Sequence, residues 1–212
     1  MTEEEARNWL IGEAVSRETL ERLEAYVALL LKEAEHQNLI SASTKEYVWA
    51  RHIVDSAQLL KWAPECASVN HWIDLGSGAG LPGIVVAILS SWNVSLVESR
   101  RKRVDFLQGV VDHLFLTNVS VIGGRTETMH VAGMADVISA RAYAPLPRLF
   151  ETANHLADAE TFWLLPKGKS WQDDLKAASQ RWEGSFHVEQ SVTDSESAII
   201  VARNIRMKKA RQ

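Results

Sequence analysis

Hydrophobic residues recur at two different spacings along this chain, and the change of spacing divides it into two regions. In the first region the spacing is helical, and apolar residues at positions 20, 23, 27, 30, 31 and 34 predict a helix of about five turns. Ser16 precedes it as the expected N-cap. A second helix is predicted from Thr44 to Trp62, because the apolar periodicity continues there and Pro64 follows its end.

From His71 onward, short apolar runs alternate with longer amphipathic stretches. The short runs predict strands at Trp72–Leu75, Val94–Val97, Val119–Ile122, Val137–Ser139 and Phe162–Leu165. The stretches 101–115 and 146–156 predict two of the helices between them. Strands alternating with helices are typical of right-handed βαβ units and a mostly parallel sheet, so the expected fold class is α/β. The runs 185–190 and 198–202 flank a polar turn at 191–197 and predict a terminal antiparallel hairpin.

This organisation predicts an N-terminal helical segment over 1–66, an α/β domain over 67–203 and a basic C-terminal tail over 204–212. With 212 residues, of which 46% are apolar, the chain can bury one sizeable core. The formal net charge of −4 argues against binding of nucleic acid or anionic membrane through the overall field, so such contacts require local basic patches.

Targeting and cysteine usage favour a cytoplasmic protein. The single cysteine, Cys66, excludes an intramolecular disulfide, and the N-terminus does not resemble a secretory signal. No apolar run approaches the roughly 18 residues of a membrane span. No large apolar heptad pattern indicates an obligate dimer, so a monomer is expected. The histidines and the cysteine lack metal-ligand spacing, which indicates no metal site.

The stretch "IDLGSGAGLPGI" places Gly76, Gly78, Gly80 and Gly83 between the first strand and the next helix. Each glycine in a structured segment costs roughly 0.5–1 kcal/mol relative to alanine, so four together indicate positive φ angles or a ligand against bare main chain. Pro82 is expected at the N1 position of the helix. In an open α/β sheet, ligands bind beyond the carboxyl ends of the strands, where this loop is predicted to lie.

The same loop matches the dinucleotide pattern G-x-G-x-x-G, which alone does not separate NAD from other nucleoside cofactors. Glu98 follows about 20 residues later, where its carboxylate can accept hydrogen bonds from both ribose hydroxyls. Asp74 stands two residues before Gly76, at the carboxyl edge of the first strand, and is expected to face a cationic amino-acid group of the ligand. S-adenosylmethionine carries a sulfonium and an ammonium but no phosphate, so these acids favour it over NAD.

Nucleic acid contacts are expected from three local clusters of positive charge: Arg100 to Arg103, which includes Arg101 and Lys102, then Lys167 with Lys169, and the C-terminal tail. For the first cluster, a solvated helix face is an equally good interpretation. Lys167 follows a strand at the ligand-binding edge, which favours contact with a substrate phosphate or base. Tyr143 is a candidate for stacking on a target base, with burial in the core as its alternative.

Several segments resemble signatures of one family. Besides residues 74–83, these are Asn38–Ser41, Arg51–Ser56, "RRKRVDFL" at 100–107, Ser139–Ala142 and Pro166–Gly168. Their order and spacing resemble, over nearly the whole chain, the glucose-inhibited division protein B family of bacterial small-subunit ribosomal RNA guanine-N7 methyltransferases. The resemblance implies a class I S-adenosylmethionine-dependent fold, Rossmann-like, with a seven-stranded sheet that ends in an antiparallel hairpin. It also implies methyl transfer to a guanine N7 in the decoding-region loop of 16S ribosomal RNA, as naked RNA or in the small subunit.

By motif, the resemblance implies cofactor contacts from six residues: Gly76, Leu81, Glu98, Thr126, Glu127 and Arg141. Asp74, Gly78 and Gly80 are expected to contact the cofactor from the chemistry of the loop itself. The expected RNA contacts are Arg101, Lys102, Tyr143, Lys167 and Lys169. Ser77, Glu98 and Ala140 depart from the commoner family residues while keeping size or charge.

The implied reaction needs no general base, because guanine N7 attacks with a lone pair and loses no proton. No catalytic base is therefore assigned, and Arg141 and Lys167 are candidates only for positioning the reactants. Two alternatives stay open: an NAD-dependent oxidoreductase that uses the glycine pattern, and a non-catalytic RNA-binding module on a degenerate cofactor fold. The terminal hairpin and Asp74 speak against the first, and Glu98 and Arg141 against the second.

Overall fold

The computed structural model describes residues 1–65, 70–129 and 133–209. Its centre is a seven-stranded sheet in the order β3-β2-β1-β4-β5-β7-β6. The strands are β1 (His71–Leu75), β2 (Asn93–Glu98), β3 (Val119–Gly123), β4 (Val137–Ala140), β5 (Phe162–Lys167), β6 (Trp182–Gln190) and β7 (Ala198–Met207). The first five run parallel, and β7 pairs antiparallel with both β5 and β6. The predicted α/β class, strand alternation and terminal hairpin are confirmed.

Four longer helices connect the strands: α4 (Gly83–Leu89), α5 (Arg101–His113), α6 (Leu146–Ala153) and α7 (Trp171–Arg181). Ahead of the sheet lie α1 (Glu3–Gly12) and α2 (Arg17–Glu33). Ser16 caps α2 as expected, because its hydroxyl accepts from the backbone N–H of Thr19. Helix α1 was not predicted from the sequence. Thr2 and Glu5 form a reciprocal capping box at its start, and this pattern could have indicated it.

The predicted continuous helix from Thr44 to Trp62 is wrong in its regularity. A 3₁₀ turn (Ala42–Tyr47), a π-helical stretch (Trp49–Val54), a three-residue helix α3 (Asp55–Ala57) and a second 3₁₀ turn (Gln58–Trp62) follow one another. We call residues 42–62 the connecting segment. Such π-helical stretches are rare and turn side chains away from regular helical spacing.

The two faces of the sheet bury different sets of side chains, because successive residues of a strand point to opposite sides. Trp72, Leu96 and Leu164 face the side covered by α2, the connecting segment, α4 and α5. Ile73, Val97 and Trp163 face the side covered by α6 and α7. The N-terminal helices therefore share one hydrophobic core with the sheet, and Trp72 and Trp163 are fully buried as expected.

The predicted basic tail is wrong for its first residues, because β7 extends to Met207. Arg203 forms an ion pair with Glu160 and Arg206 with Glu183, so these charges are part of the sheet edge. Residues 210–212 of the predicted tail, like Cys66, lie outside the described residues. None of the described helices combines the length and the apolar character that a membrane span requires.

Candidate functional site

The glycine loop connects β1 to α4 at the carboxyl edge of the sheet. Gly76, Gly78 and Gly80 have φ angles of +64°, +58° and +92°, a region that L side chains rarely adopt. At Gly83 the reason for glycine is close packing, since a Cβ there would lie 2.3 Å from Leu96 Cδ2. Three of the four glycines thus meet the predicted condition of positive φ, and at the fourth the close approach comes from the protein's own side chains.

Glu98, at the end of β2, binds the glycine loop from the neighbouring strand. Its Oε2 accepts from the backbone N–H of Gly78 at 3.0 Å, and its Oε1 accepts from the N–H of Arg100 at 2.8 Å. The Arg103 guanidinium lies 3.6 Å from Oε2 and also donates to the backbone carbonyl of Asn38. The side chain is only 5% exposed, so the carboxylate has a fixed place beneath the loop.

Asp74 does not face a ligand as the sequence analysis expected, because its carboxylate is fully buried. Oδ1 accepts from the Ser139 hydroxyl at 2.7 Å and Oδ2 from the Gly83 N–H at 3.3 Å. Burial raises the pKa of Asp74 to about 6, against the opposing effect of these hydrogen bonds. The side chain therefore ties β1, β4 and α4 together below the loop.

A cavity of about 260 Å³, which we call the glycine-loop cavity, opens above β1, β2 and β3. It is lined by Gly76, Val97, Ser99, Gly124, Arg125, Thr126, Glu127 and Tyr143. Three predicted cofactor residues, Gly76, Thr126 and Glu127, are thus brought together here. Leu81 is instead buried in the core at 3% exposure, and Glu127 forms an ion pair with Arg148.

Tyr143 lies beside the glycine loop, half-buried and packed against the hydrophobic core, which is close to the second of its two predicted roles. A Cβ at Gly76 would lie 2.6 Å from Tyr143 Cδ2, so the ring packs on the bare main chain of the loop. The Tyr143 hydroxyl donates to Thr152 Oγ1 of α6 at 3.3 Å. The ring therefore forms one wall of the glycine-loop cavity.

A second cavity of about 420 Å³ lies at the same edge above β4 and β5, and we call it the hairpin cavity. Arg141 lines it rather than the glycine-loop cavity. Its Nη1 donates to His52 Nδ1 at 3.0 Å and to the Arg51 carbonyl at 3.3 Å, and lies 3.5 Å from Asp55 Oδ2. The connecting segment thus holds the guanidinium in place.

The terminal hairpin supplies another wall of the hairpin cavity, which the sequence analysis missed. Because β7 pairs antiparallel with β5, Lys167 at the end of β5 lies opposite Ala198 at the start of β7. The polar turn 191–197 is therefore carried to the carboxyl edge. Thr193 donates to Asp55 Oδ1 at 3.2 Å, and Asp194 pairs with Arg51 at 2.6 Å. In the sequence, only the pairing of the predicted hairpin strands with the sheet could have indicated that this turn reaches the site.

The predicted RNA-contacting cations are mostly engaged within the protein. Lys167 donates to Asp174 at 2.7 Å and to the Ala144 carbonyl, and is 15% exposed. Lys169 pairs with Glu196, and Arg101 pairs with Asp105, although both of these pairs are exposed. Among the described residues, three exposed cations near the same edge form no ion pair: Arg100, Lys102 and Arg125.

Solved structures with the same architecture include a S-adenosylmethionine-dependent methyltransferase from Aquifex aeolicus. It superposes with a TM-score of 0.58 and 14% identity, over 74% of this chain and 91% of the other. A glycopeptide N-methyltransferase in complex with S-adenosylmethionine superposes with a TM-score of 0.57 and 8% identity, over 69% and 86%. At these identities the likeness shows a shared fold.

Sequence relatives reach much higher identity. A ribosomal RNA small subunit methyltransferase G from Zymomonas mobilis is 49% identical over 99% of this chain and 97% of its own length. Another from Rhizorhabdus wittichii is 48% identical over 97% and 94%. The family profile described as rRNA small subunit methyltransferase G matches residues 19–205. The resemblance found in the sequence is confirmed, the oxidoreductase alternative has no support, and the chain belongs to the rRNA small subunit methyltransferase G family.

Proposed function

We propose that this protein transfers a methyl group from S-adenosylmethionine to N7 of a guanine in 16S ribosomal RNA of the small subunit. The observation that supports it most directly is the cavity beside the glycine loop, which is lined by Gly76, Thr126 and Glu127 and opens above β1, β2 and β3. The names of the relatives supply the acceptor class, and the resemblance noted in the sequence supplies the attacking atom.

The residues present fit S-adenosylmethionine. The Tyr143 ring covers the main chain at Gly76, so the space for the ligand lies in the glycine-loop cavity between this ring and Ser99. Glu98, next to Ser99 in the chain, offers carboxylate oxygens to ribose hydroxyls. Thr126 and Glu127 lie on the β3 side, where the adenine would reach. When bound, the cofactor supplies an electrophilic methyl on a sulfonium, and the breaking carbon–sulfur bond leaves its electron pair on sulfur.

The protein's own contribution is positioning. Guanine N7 attacks with an in-plane lone pair, so no residue has to remove a proton for the new carbon–nitrogen bond to form. The site agrees with this requirement, because His52 is engaged on both ring nitrogens, by Arg141 at Nδ1 and by Thr44 at Nε2. Holding the reactants in line contributes roughly 7–11 kcal/mol toward lowering the barrier.

RNA binding is assigned to the carboxyl edge, where Arg100, Lys102 and Arg125 are exposed and free of ion pairs among the described residues. Lys and Arg that neutralise phosphates provide most non-specific affinity. Of the predicted contacts, Lys102 keeps this direct role. Lys167, which is mostly buried, reaches the RNA only if Asp174 releases it. Arg101 and Lys169 are exposed, and their surface ion pairs are weak enough to exchange for a phosphate.

The proposed substrate places the protein in the cytoplasm, where ribosomes assemble, and we expect it to act there as a monomer. Light scattering after size-exclusion chromatography tests the monomer. A dimer mass would contradict it.

The activity is tested by transfer of a labelled methyl from S-adenosylmethionine to small ribosomal subunits from cells that lack the enzyme. Nucleoside mass spectrometry should then show 7-methylguanosine at close to one per subunit. Naked 16S RNA and subunits that already carry the modification are the comparison substrates. A product methylated at another atom would refute the N7 assignment. Binding of S-adenosylhomocysteine with no transfer to subunits or RNA would favour the RNA-binding module instead.

A further inference from the structure

Phe115 follows the end of α5 in a backbone conformation that its side chain does not suit. The backbone N–H of Leu116 donates to the Val111 carbonyl at 3.0 Å. The N–H of Phe115 donates to the Asp112 carbonyl at 3.3 Å. These two bonds form a Schellman motif, in which the C′ residue is left-handed and is usually glycine. Phe115 occupies that position with a φ of +52°, which costs an L residue energy.

The packing around this motif gives no reason for an aromatic residue at its C′ position. Leu116 and Val111, the apolar pair that accompanies such a motif, are both buried. Phe115 itself is 81% exposed, so its ring is displayed to solvent on a strained backbone. Strained residues concentrate at functional sites, which makes Phe115 a candidate contact for a binding partner.

A groove of about 610 Å³ between α2 and α5 leads toward Phe115 from the carboxyl edge of the sheet. Lys102, in the first turn of α5, lines one end of this groove, and His113, two residues before Phe115, lines the other. The part of α5 between them is roughly 17 Å long at a rise of 1.5 Å per residue. The groove therefore continues the surface of exposed cations that lies near the glycine loop.

The charges that remain free in this groove are positive. Lys32 and Lys102 are exposed, and neither forms an ion pair within the part of the chain that the structure describes. Both acids of the lining are engaged. Glu33 accepts from the amide of Gln37 at 2.8 Å, and Asp105 pairs with the arginine four residues before it at 2.8 Å. The groove is thus complementary to a negatively charged ligand.

The end of the groove near Phe115 also carries positive charge. Arg22 of α2 donates to the Leu114 carbonyl at 3.2 Å, which places its guanidinium beside the C-terminus of α5. Half-buried Leu29 and Phe106 provide apolar surface between the cations. A row of cations with apolar surface between them and an exposed aromatic ring at its end is typical of surfaces that bind single-stranded nucleic acid.

We propose that the groove and Phe115 form a second contact surface for ribosomal RNA. The groove carries the phosphates of a single strand that continues from the carboxyl edge, and the Phe115 ring stacks on an unpaired base. The inference rests on the proposed function, because it takes ribosomal RNA as the substrate. Lysine and arginine neutralise phosphates, and aromatic rings stack on the splayed bases of single-stranded RNA.

Gly109 permits a matched test of the charge in the groove. It lines the groove, and a Cβ there meets no atom within 4 Å. Gly109→Lys and Gly109→Glu add side chains of similar length and opposite charge, and both replace a helical glycine with a good helix former. With S-adenosylhomocysteine present, dissociation constants are measured at several salt concentrations for small subunits from methylation-deficient cells and for naked 16S RNA.

We expect Gly109→Glu to bind both RNA substrates about 3- to 30-fold more weakly than Gly109→Lys, as for a change of two unit charges at a surface. Affinity for S-adenosylhomocysteine should be the same in both variants. Gly109→Lys should also lose affinity more steeply with salt, by about 0.7 in the logarithmic slope for one added phosphate contact. Equal RNA affinities would overturn the proposal. A difference with subunits but not with naked RNA would assign the groove to a ribosomal protein and would also overturn it.

The stacking role is tested by Phe115→Gly against Ala14→Gly. Ala14 is the C′ residue of the same motif after α1, with a φ of +58°, and Val15 N–H donates to the Leu10 carbonyl at 3.2 Å. Both glycines relieve left-handed strain, so we expect both to raise the melting temperature by about 1–4 °C. Only Phe115→Gly should weaken RNA binding, by about 5- to 100-fold. Phe115→Trp, which keeps a stacking ring, should bind like the wild type.

Wild-type RNA affinity in Phe115→Gly would overturn the stacking role, and so would an equal loss in Phe115→Trp. A lower melting temperature in Phe115→Gly would show that the ring packs within the protein, which also contradicts the proposal. Failure of the proposed function is recognised separately. If the wild type methylates no ribosomal RNA, the proposed function itself fails. If the wild type methylates subunits and all variants bind RNA equally, only the second contact surface is rejected.

Discussion

The packing of Tyr143 on the glycine loop can be tested by adding one methyl group. In Gly76→Ala the new Cβ would lie 2.6 Å from Tyr143 Cδ2, closer than side-chain carbon atoms approach in proteins. The same residue would have to keep a φ of +64°. Left-handed backbone costs an L residue about 1–2 kcal/mol, and overpacking costs about 1–3 kcal/mol. We therefore expect Gly76→Ala to lower the free energy of unfolding by about 2–5 kcal/mol.

The two contributions separate in a double-mutant cycle with Tyr143→Ala. Removal of the ring relieves the clash but leaves the backbone strain, so Gly76→Ala in that background should cost only about 1–2 kcal/mol. The coupling energy should be about 1–3 kcal/mol, and urea denaturation measures it. A costly Gly76→Ala with zero coupling would refute the packing of Tyr143 against the loop. Gly124→Ala, whose Cβ meets nothing within 4 Å in the same cavity, is the control and should be neutral.

Three further outcomes follow from individual side chains. Glu98→Gln should weaken S-adenosylhomocysteine binding about 10- to 100-fold in calorimetry, because charged acceptors make the stronger hydrogen bonds; unchanged affinity would remove Glu98 from the site. Burial raises the pKa of Asp74 to about 6 from 3.8. Between these two pH values the folded state therefore binds more protons than the unfolded state. The contribution of protonated Asp74 to the free energy of unfolding is fully present below about pH 4 and is lost as the pH rises through about 6. The loss amounts to at most about 3 kcal/mol. Urea denaturation across that range should show this loss in the wild type relative to Asp74→Asn; parallel curves would contradict it. Lys167→Ala should lower the free energy of unfolding by about 1–3 kcal/mol, because the partly buried Asp174 would lose its ion-pair partner. Lys169→Ala, in an exposed pair, should change it by less than about 1 kcal/mol, and equal effects would argue against the burial reasoning.

The sheet was predictable from the sequence because local pattern and tertiary environment agree there. Trp72 and Ile73 are both apolar since the strand is buried on both faces, and a continuous apolar run of this kind is typical of parallel sheets. The glycine loop was predictable for a related reason. Positive φ at Gly76, Gly78 and Gly80 is a property of the residues themselves.

The pairing of charged side chains was not predictable, because each partner is distant in sequence. Lys167 and Lys169 were expected to contact RNA, yet they form ion pairs with Asp174 and Glu196. Asp74 was expected to face a ligand, and a hydroxyl 65 residues away satisfies it instead. A carboxylate at a strand end has the same local sequence whether it points above the sheet or below it. The direction of the carboxylate is set by the helix that packs against that part of the strand.

The hairpin cavity shows where this chain differs from a bare nucleoside-binding sheet. The carboxyl edge of the sheet has two halves, and the half with the glycine-loop cavity uses β1 to β3 and the glycine loop, elements that belong to the common architecture. Its other half uses the connecting segment and the hairpin turn, which reach each other through Arg51 and Asp194 and through Asp55 and Thr193. Arg141 joins these elements to β4. The hairpin cavity is therefore built from parts that are added around the sheet, and substitutions in the connecting segment would reshape it while leaving the glycine loop in place.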